Sequence, residues 1–568
     1  MSAARAYWLL VALTVWTLGV RLVGLDFGVP WYKEPDTFVA DHVRMLREGE
    51  VKLDRALSAC QYPSLLAHLA APLSDATGRP TGAEHTLEEH LRSAARPWLD
   101  VRLVVAWLSI LIVPGTFAIA RRFVSSGWSL FAAASVSTSL LHVCFSQQAR
   151  AHGPVIAFSA CTVACALWLR REPSWRAYLA TTVFAFLAVG MLHNGIAVLL
   201  PIGVAQLLRV DRKRFDPRLL LVAGAAALSF RVFYWYYFDA AASQAMAGDD
   251  ATGSVLRDLP FDGTGFARLA RTLVFYEPAL LALLVLAGAA WIARWRARRD
   301  GGAALERGDS LVVLSYVVPY VALSGGFNQT YERFLLPLLP YCATFGAWGL
   351  SALEQRFARA RGAVLALASV ALAAPAFAST KLAWLRARPD TFEQAASWLR
   401  EHVGDPAQQA VFVLPPVDLP LARSAESLKH PPGKAAFHSP WAWYQRTLDD
   451  DAKPAPVFRL YWLYPKAEFP PATLADDARM DAYLRSFGPG LWLVERIDAT
   501  RSADRHRVVE RLEAIGTRLA RFAPDPDERF CEHPLWAQDI EVADWPNVFL
   551  RVLHARAVGP VVEIFEVR

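Results

Sequence analysis

Residues 21–42 read RLVGLDFGVPWYKEPDTFVADH and begin at the end of the first long apolar run of the chain. The acids Glu34, Asp36 and Asp41 and the imidazole of His42 fall within nine residues of one another. Such a group directly after a hydrophobic helix is typical either of a solvated loop or of an active site at a membrane surface. The pattern of the surrounding sequence decides between these two interpretations.

The composition predicts a membrane protein. Of the 568 residues, 54% are hydrophobic and only 20% are charged, and the mean hydropathy is +0.24. Soluble proteins usually carry about 25% charged residues. Between Tyr7 and Trp384 the apolar residues form runs of about 15–25, enough to cross or nearly cross ~30 Å of hydrocarbon.

The apolar runs also predict two regions. Residues 1–386 contain these runs and form a polytopic α-helical membrane region, whereas the runs stop after Arg386. Residues 387–568 have the size of one soluble domain, and their patterns indicate an α/β fold. Helices are predicted at 392–403 and 503–520, and strands at 410–416, 491–497 and 561–567.

We predict eleven membrane spans, at residues 6–24, 99–120, 128–144, 154–169, 177–192, 194–208, 218–238, 271–293, 309–325, 334–353 and 362–384. Basic residues cluster in every second connection, on the same side as the N-terminus, and by the positive-inside rule this side is the cytoplasm. The large first loop, 25–98, and the C-terminal domain then lie on the exoplasmic face. The predicted location is a bacterial inner membrane with a periplasmic C-terminal domain.

This topology restricts the chemistry. The net charge of +6 comes from short basic clusters between apolar runs, a pattern that excludes nucleic-acid binding. ATP and nucleotide sugars are not normally available on the exoplasmic face, and the sequence lacks both GxxxxGK[ST] and a GxGxxG after a strand. An enzyme at this face therefore takes its activated substrate from the membrane. The six cysteines form no CxxC pair, so no zinc or disulfide framework is indicated.

Asp36 is the first candidate for chemistry. It follows Pro35, which suits the first position of a helix, and a carboxylate in the first turn is stabilised by the helix dipole. Asp36 is thus either a helix-start residue or a catalytic group. Further along the loop, residues 60–74 (CQYPSLLAHLAAPLS) predict either an amphipathic helix at the membrane interface or an ordinary covering helix.

Four further candidates lie at the predicted outer ends of spans: Arg150, His152, His193 and Arg333. Arg150 either extends to lipid headgroups or binds an anion. His152 either marks a helix boundary, binds a metal or acts as a base. His193 either belongs to a tight Asn-Gly turn or contacts a phosphate, and Arg333 is either an interface anchor or a phosphate ligand.

The order of these motifs carries a resemblance. RLVGLDFGVP followed by EPD, then YPSL, LHVCFSQQARAHGP and ERFLLPLLP, resembles the bacterial family 39-type glycosyltransferases across roughly residues 1–400. These are GT-C-fold relatives of the protein O-mannosyltransferases and of the lipid A aminoarabinose transferases. RPDTFEQAASWLREHV (388–403) is similar to the start of the periplasmic domain in that group.

The resemblance implies roles for individual residues. Asp36 matches the catalytic carboxylate of the family and Arg333 its Arg before LLP, whereas Thr37 stands where a Glu is common. His152 lies near the place of a second Asp, and His193 occupies the place of a Lys. Thr37, His152 and His193 indicate either altered donor specificity or loss of activity.

The implied reaction transfers a sugar from a polyprenyl-phosphate donor to a hydroxyl of a lipid, glycan or protein acceptor. We predict Asp36 as the general base, assisted by Glu34 or His152, with Arg333, Arg150 and His193 holding the donor phosphate. His152 is also the candidate ligand for a divalent metal ion, and no other cofactor is indicated.

Two alternatives belong to other functional classes. One is a transporter or flippase for a lipid-linked glycan, which the broken apolar segment around His193 would suit. The other is a non-catalytic relative that acts as an envelope scaffold, in keeping with the departures at Thr37, His152 and His193.

Overall fold

The computed structural model describes residues 2–31, 39–40, 42–43, 46, 63–77, 85–211, 216–234, 238, 261–297, 304–328, 330–414, 418–429, 439–449, 452–463, 473, 476–499, 502–529, 535 and 547–568. The predicted catalytic residues Asp36 and Glu34 lie outside these described residues, as do Thr37 and Asp41.

Helices make up the described part of the chain before residue 387. In chain order they are α1 (Ala3–Leu22), α2 (Leu65–Thr77), α3 (Leu87–Ser109), α4 (Ile112–Ala120), α5 (Ser126–Ser137), α6 (Leu140–Ser146), α7 (His152–Arg171), α8 (Trp175–Met191), α9 (Leu199–Leu207), α10 (Leu219–Phe233), α11 (Thr264–Tyr276), α12 (Pro278–Ala297), α13 (Ala304–Gly326), α14 (Leu339–Arg356) and α15 (Arg361–Arg386). Three 3₁₀ helices, His193–Val198, Glu332–Leu338 and Ala358–Ala360, lie between them.

The helices agree with a membrane-spanning region. By length and composition, five described helical stretches are able to cross a bilayer, or up to seven if each of two bent pairs forms one span. Three shorter apolar helices correspond to further predicted spans, at Trp175–Met191, His193–Leu207 and Leu219–Phe233. The total of eleven spans stays a prediction.

Two predicted spans differ from straight helices. The apolar run at 271–293 is bent by 116° between α11 and α12, because Pro278 opens α12 and keeps Glu277 out of the helical conformation (φ −129°). The run at 194–208 begins with a 3₁₀ turn that approaches the preceding helix closely. A Cβ at Gly195 would lie 1.9 Å from the Ala188 carbonyl oxygen, so only glycine fits there.

The first loop packs tightly where it leaves α1. The Phe27 ring lies between two guanidinium groups, 4.3 Å from that of Arg102 and 4.1 Å from that of Arg386. Arg102 also donates to the carbonyls of Leu25 and Phe27 at 2.6 and 2.9 Å. Gly24 adopts a left-handed conformation (φ +68°), and a Cβ there would lie 2.6 Å from the Ala387 nitrogen. We call this end of the helices the loop end, and the opposite end, which carries Arg170 and Arg209, the basic end.

The region after Arg386 contains a six-stranded sheet. Its strands are β1 (Ala410–Leu414), β2 (Ala422–Arg423), β3 (Val457–Trp462), β4 (Gly490–Glu495), β5 (Thr517–Phe522) and β6 (Val562–Val567), in the order β2-β3-β1-β4-β6-β5. The first four strands are parallel, and β6 runs antiparallel to β4 and β5. The helices are α16 (Thr391–His402), α17 (Ala425–Leu428), α18 (Pro440–Gln445), α19 (Asp477–Ser486), α20 (Ala503–Ile515) and α21 (Val548–His554).

The sheet agrees with the predicted α/β pattern, with one difference. The predicted helix at 503–520 ends at Ile515, and residues 517–522 form β5, because Gly516 interrupts the helix. This C-terminal region also holds the first loop. The Trp31 indole donates to Asp390 Oδ2 at 3.0 Å, and the Trp441 nitrogen donates to the Pro30 carbonyl at 3.0 Å. The chain therefore reaches residue 31 in a position fixed by the C-terminal region.

Candidate functional site

Arg150 and His152 lie in the connection between α6 and α7 at the loop end. Arg150 is 1% exposed and His152 is 7% exposed. An arginine that extends to lipid headgroups keeps its charged group in the polar layer. Because Arg150 is enclosed by protein, the headgroup interpretation does not describe its side chain.

Arg333 approaches the same place from another element. His152 lies within electrostatic range of both Arg333 and Arg150. The 3₁₀ helix that carries Arg333 packs against both α6 and α7. Aromatic rings flank the cations, since the Arg150 guanidinium lies 5.8 Å from the Phe145 ring and that of Arg333 lies 4.6 Å from Tyr331. Two fork-shaped donors within electrostatic range of one buried imidazole suit a phosphate group.

His193 has a different environment from that of the two arginines. Its side chain is exposed, and its ring lies 5.0 Å from that of Tyr234 in an edge-to-face arrangement. The neighbouring Asn194 lies close to the Tyr320 hydroxyl, which is in turn within electrostatic range of Arg333. The His193 ring thus packs on Tyr234, whereas the next residue, Asn194, is linked to Arg333 through Tyr320.

The surroundings of His152 disfavour the metal-binding alternative. Two of the described residues within electrostatic range of His152 are the cations Arg150 and Arg333, which repel a divalent metal ion. Among the residues that the structure describes, no group of three or more His, Cys, Asp or Glu side chains is arranged to hold a metal. No step of the reaction below passes through a metal ion.

Two further imidazoles, those of His42 and His68, lie close together in the described part of the first loop. His42 is 6% exposed, and its ring lies 6.5 Å from that of His68, which lies 5.7 Å from the ring of Phe233. Burial, with a smaller contribution from the neighbouring His68, lowers the pKa of His42 to about 4. His42 is therefore neutral at physiological pH.

Several polar side chains that the sequence did not single out hold the loop end together. Gln147 donates to the Val23 carbonyl at 2.7 Å and accepts from Arg386 at 2.8 Å, while Arg386 also donates to the Leu535 carbonyl at 3.1 Å. Arg21 lies 2.6 Å from His142 Nδ1. The available signal was a charged or amide residue inside or beside an apolar run, because such residues are expensive to bury without a role.

An apolar groove of about 930 Å³ reaches the 3₁₀ helix that carries Arg333. Its lining includes Leu338, from the same 3₁₀ helix as Arg333, and it extends between α12, α13 and α14 to Arg307 and Gln355 at the basic end. From Arg307 to Val321 the lining of α13 covers about 20 Å at the helical rise of 1.5 Å per residue. This length suits a hydrocarbon chain lying across most of a bilayer core.

A family model matches part of the chain. Residues 56–245 match the family described as dolichyl-phosphate-mannose-protein mannosyltransferase, about a third of the sequence. The match confirms the resemblance predicted from the sequence. The matched range includes Arg150, His152 and His193, and it excludes Asp36 and Arg333. No curated protein matches the chain in sequence.

Solved structures give weaker similarities. The apo oligosaccharyltransferase of Archaeoglobus fulgidus is 9% identical, with 92% of this chain and 74% of that chain covered and a TM-score of 0.45. ArnT from Cupriavidus metallidurans bound to undecaprenyl phosphate is 12% identical, with 88% and 95% covered and a TM-score of 0.43. The arabinofuranosyltransferase AftD from Mycobacteria is 16% identical, with 100% and 40% covered and a TM-score of 0.40. Similarities at this level carry no conclusion about activity.

Proposed function

We propose that this protein is an integral-membrane glycosyltransferase. It moves a sugar from a polyprenyl-phosphate donor to a hydroxyl of a lipid, glycan or protein acceptor on the exoplasmic face of a bacterial inner membrane. The family match over residues 56–245 supports the reaction class. The observation that carries the proposal is that Arg150 and Arg333 both lie within electrostatic range of the buried His152 at the loop end.

The donor phosphate lies between Arg150 and Arg333 in this proposal. Breaking the bond from the sugar to phosphate oxygen leaves negative charge on the phosphate, and two guanidinium groups stabilise that charge as it develops. Because the site is largely buried, their attraction to the phosphate is stronger than in water. The polyprenyl chain lies in the groove that begins at Leu338, five positions after Arg333.

The acceptor hydroxyl is activated by Asp36, with Glu34 assisting. The acceptor oxygen forms a bond to the anomeric carbon, the bond from that carbon to the phosphate oxygen breaks, and the hydroxyl proton passes to the Asp36 carboxylate. Direct attack inverts the anomeric configuration. General-base assistance of this kind typically contributes ~10²–10⁴ in rate.

The described residues on either side of Asp36 are packed against the rest of the protein. The chain is held at Trp31 by its bond to Asp390, and it is described again at Val39 and Ala40, which are 5% and 1% exposed.

Reconstitution tests the proposal. Purified protein in liposomes receives a labelled polyprenyl-phosphate sugar and a membrane extract as acceptor source. We expect labelled product from the wild type, a loss of at least ~100-fold in Asp36→Asn at unchanged expression, and retained transfer in the matched control Asp41→Asn. Full activity of Asp36→Asn overturns the assignment of the base. Movement of the intact donor across the bilayer without bond cleavage supports a transporter, and neither activity supports a scaffold.

A further inference from the structure

The bend between α11 and α12 places two adjacent polar residues against two different elements of the site. Tyr276 and Glu277 occupy this bend and are each 3% exposed. A buried carboxylate in a membrane protein is expensive unless it is hydrogen-bonded, so its presence at a bend calls for a role. The partners of the two side chains identify that role.

Glu277 binds the start of the helix that leads to Arg150. Its Oε1 accepts from the Ser139 hydroxyl at 2.5 Å and from the Leu141 nitrogen at 3.0 Å. Ser139 is the N-cap of α6 and accepts from the His142 nitrogen at 3.1 Å. The carboxylate therefore fixes the first turn of α6, on which the path of the chain to Arg150 and His152 depends.

Tyr276 contacts the element that carries Arg333. Its hydroxyl donates to Glu332 Oε1 at 3.4 Å, and Glu332 directly precedes Arg333 at the start of the 3₁₀ helix. Glu332 is 1% exposed, so this contact is made inside the protein. The two residues of one bend thus reach both elements that supply cations to the cluster.

We propose that Tyr276 and Glu277 are positioning residues that set the distance between Arg333 and the Arg150–His152 pair. The elements that carry Arg150 and Arg333 need a fixed support if the two side chains are to bind one phosphate group. The bend provides this support through adjacent residues of one rigid turn. This inference rests on the proposed function, because it assigns the cluster to a phosphate.

The experiment compares four variants of the full-length protein in detergent. Glu277→Ala removes the acceptor for Ser139 and Leu141, whereas Glu277→Gln keeps an acceptor oxygen of the same reach. Glu354→Ala is the matched control, because Glu354 also joins two helices: it accepts from the Trp128 indole at 2.7 Å and pairs with Arg361 at 2.8 Å. The probe is undecaprenyl phosphate, and its dissociation constant is measured for each variant together with KM and kcat for transfer.

We expect Glu277→Ala to weaken undecaprenyl phosphate binding about 10-fold or more, since hydrogen bonds to charged groups carry effects of that size. Glu277→Gln recovers most of the affinity, and Glu354→Ala stays within about twofold of the wild type. Ser139→Ala, a milder change at the same contact, gives an intermediate effect and covers the case in which Glu277→Ala does not fold.

A second readout separates this inference from the proposed function. Cys144 lies on α6 and is buried, so its rate of alkylation by N-ethylmaleimide, followed by mass spectrometry, reports opening of that helix. If the wild type does not bind undecaprenyl phosphate, the proposed function fails, while faster Cys144 alkylation in Glu277→Ala still supports the positioning role. Unchanged alkylation and unchanged affinity in Glu277→Ala overturn the inference.

Discussion

Arginines at the two ends of the helical region have different partners. At the loop end they donate to carbonyl oxygens and neutral side chains, as do Arg21 to Thr17, Arg102 to Leu25 and Phe27, and Arg386 to Leu535 and Gln147. At the basic end they donate to aspartates, as do Arg170 and Arg171 to Asp309, and Arg209 and Arg218 to Asp216.

The arginine side chain therefore has two different uses in this protein. A guanidinium bound to carbonyl oxygens fixes the path of a loop without neutralising its own charge. A buried aspartate offsets part of the positive charge of the arginines that bind it and joins two elements, as Asp309 joins α7 to α13. We infer that the arginines of the loop end fix the path of the first loop, and that those of the basic end join helices.

The largest expected effect is at the basic end. Asp309 is fully buried, and Asp309→Ala leaves Arg170 and Arg171 without their shared carboxylate. Breaking a buried pair in this way typically destabilises by about 3–5 kcal/mol. We expect a clear drop in the thermal unfolding temperature, with undecaprenyl phosphate affinity retained in the folded fraction. Arg92→Ala, which breaks the exposed pair with Glu88, serves as control and changes little. Equal stability of Asp309→Ala and wild type would remove the contrast between the ends.

Acidification is expected to act on the loop end first. Because burial lowers the pKa of His42 from 6.5 to about 4, its stabilising contribution is present above pH 6.5 and is lost as the pH falls towards 4. The difference corresponds to about 3 kcal/mol. At the basic end, hydrogen bonds from Arg218 hold the pKa of Asp216 below its usual value, so this acid stays charged over the same range.

Hydrogen exchange measures this difference between the ends. Deuterium uptake is measured at pH 4.5 and pH 7 and corrected for intrinsic exchange rates. We expect the increase from pH 7 to pH 4.5 to be larger in α2, which contains His68, than in the part of α10 near Asp216. The variant His42→Gln, which does not titrate, removes the pH dependence of α2. Equal uptake changes in both helices contradict the prediction.

The smallest expected effect sharpens the distinction between the two kinds of partner. Arg386→Lys keeps the charge but loses the fork that reaches Gln147 and the Leu535 carbonyl together, so we expect a loss of about 1–2 kcal/mol and weaker donor binding. Arg170→Lys retains a single contact with Asp309 and loses less. Thermal unfolding and donor affinity of the two variants provide the comparison, and a larger effect of Arg170→Lys would reverse the interpretation.

The sequence predicted the parts of the fold that local pattern determines. Runs of apolar residues indicated helices, and the apolar strands at 410–416, 491–497 and 561–567 correspond to β1, β4 and β6. The 116° bend at Glu277 was missed, although Pro278 inside the run was an available signal. The contact between Trp31 and Asp390 had no local signal, since packing between distant segments alone determines it.

The sequence likewise predicted some residues of the candidate site and missed others. Arg150, His152 and Arg333 were selected from short motifs, and the structure brings these three together. Glu277 was missed because its partner Ser139 is 138 positions away. A carboxylate in an apolar run has many potential partners in sequence, and only the folded chain selects one. The roles of Asp36 and Glu34, outside the described residues, stay predictions.

The bond between Trp31 and Asp390 has a consequence for biosynthesis. The two residues are separated by 359 positions. A ribosome that adds ~5–20 residues per second makes the second partner roughly 20–70 s after the first. During that interval the helices insert while the Trp31 indole lacks its acceptor. The indole gains this bond only after translation has passed residue 390, and a chain released earlier would sit in the bilayer without this contact between its first loop and its C-terminal region.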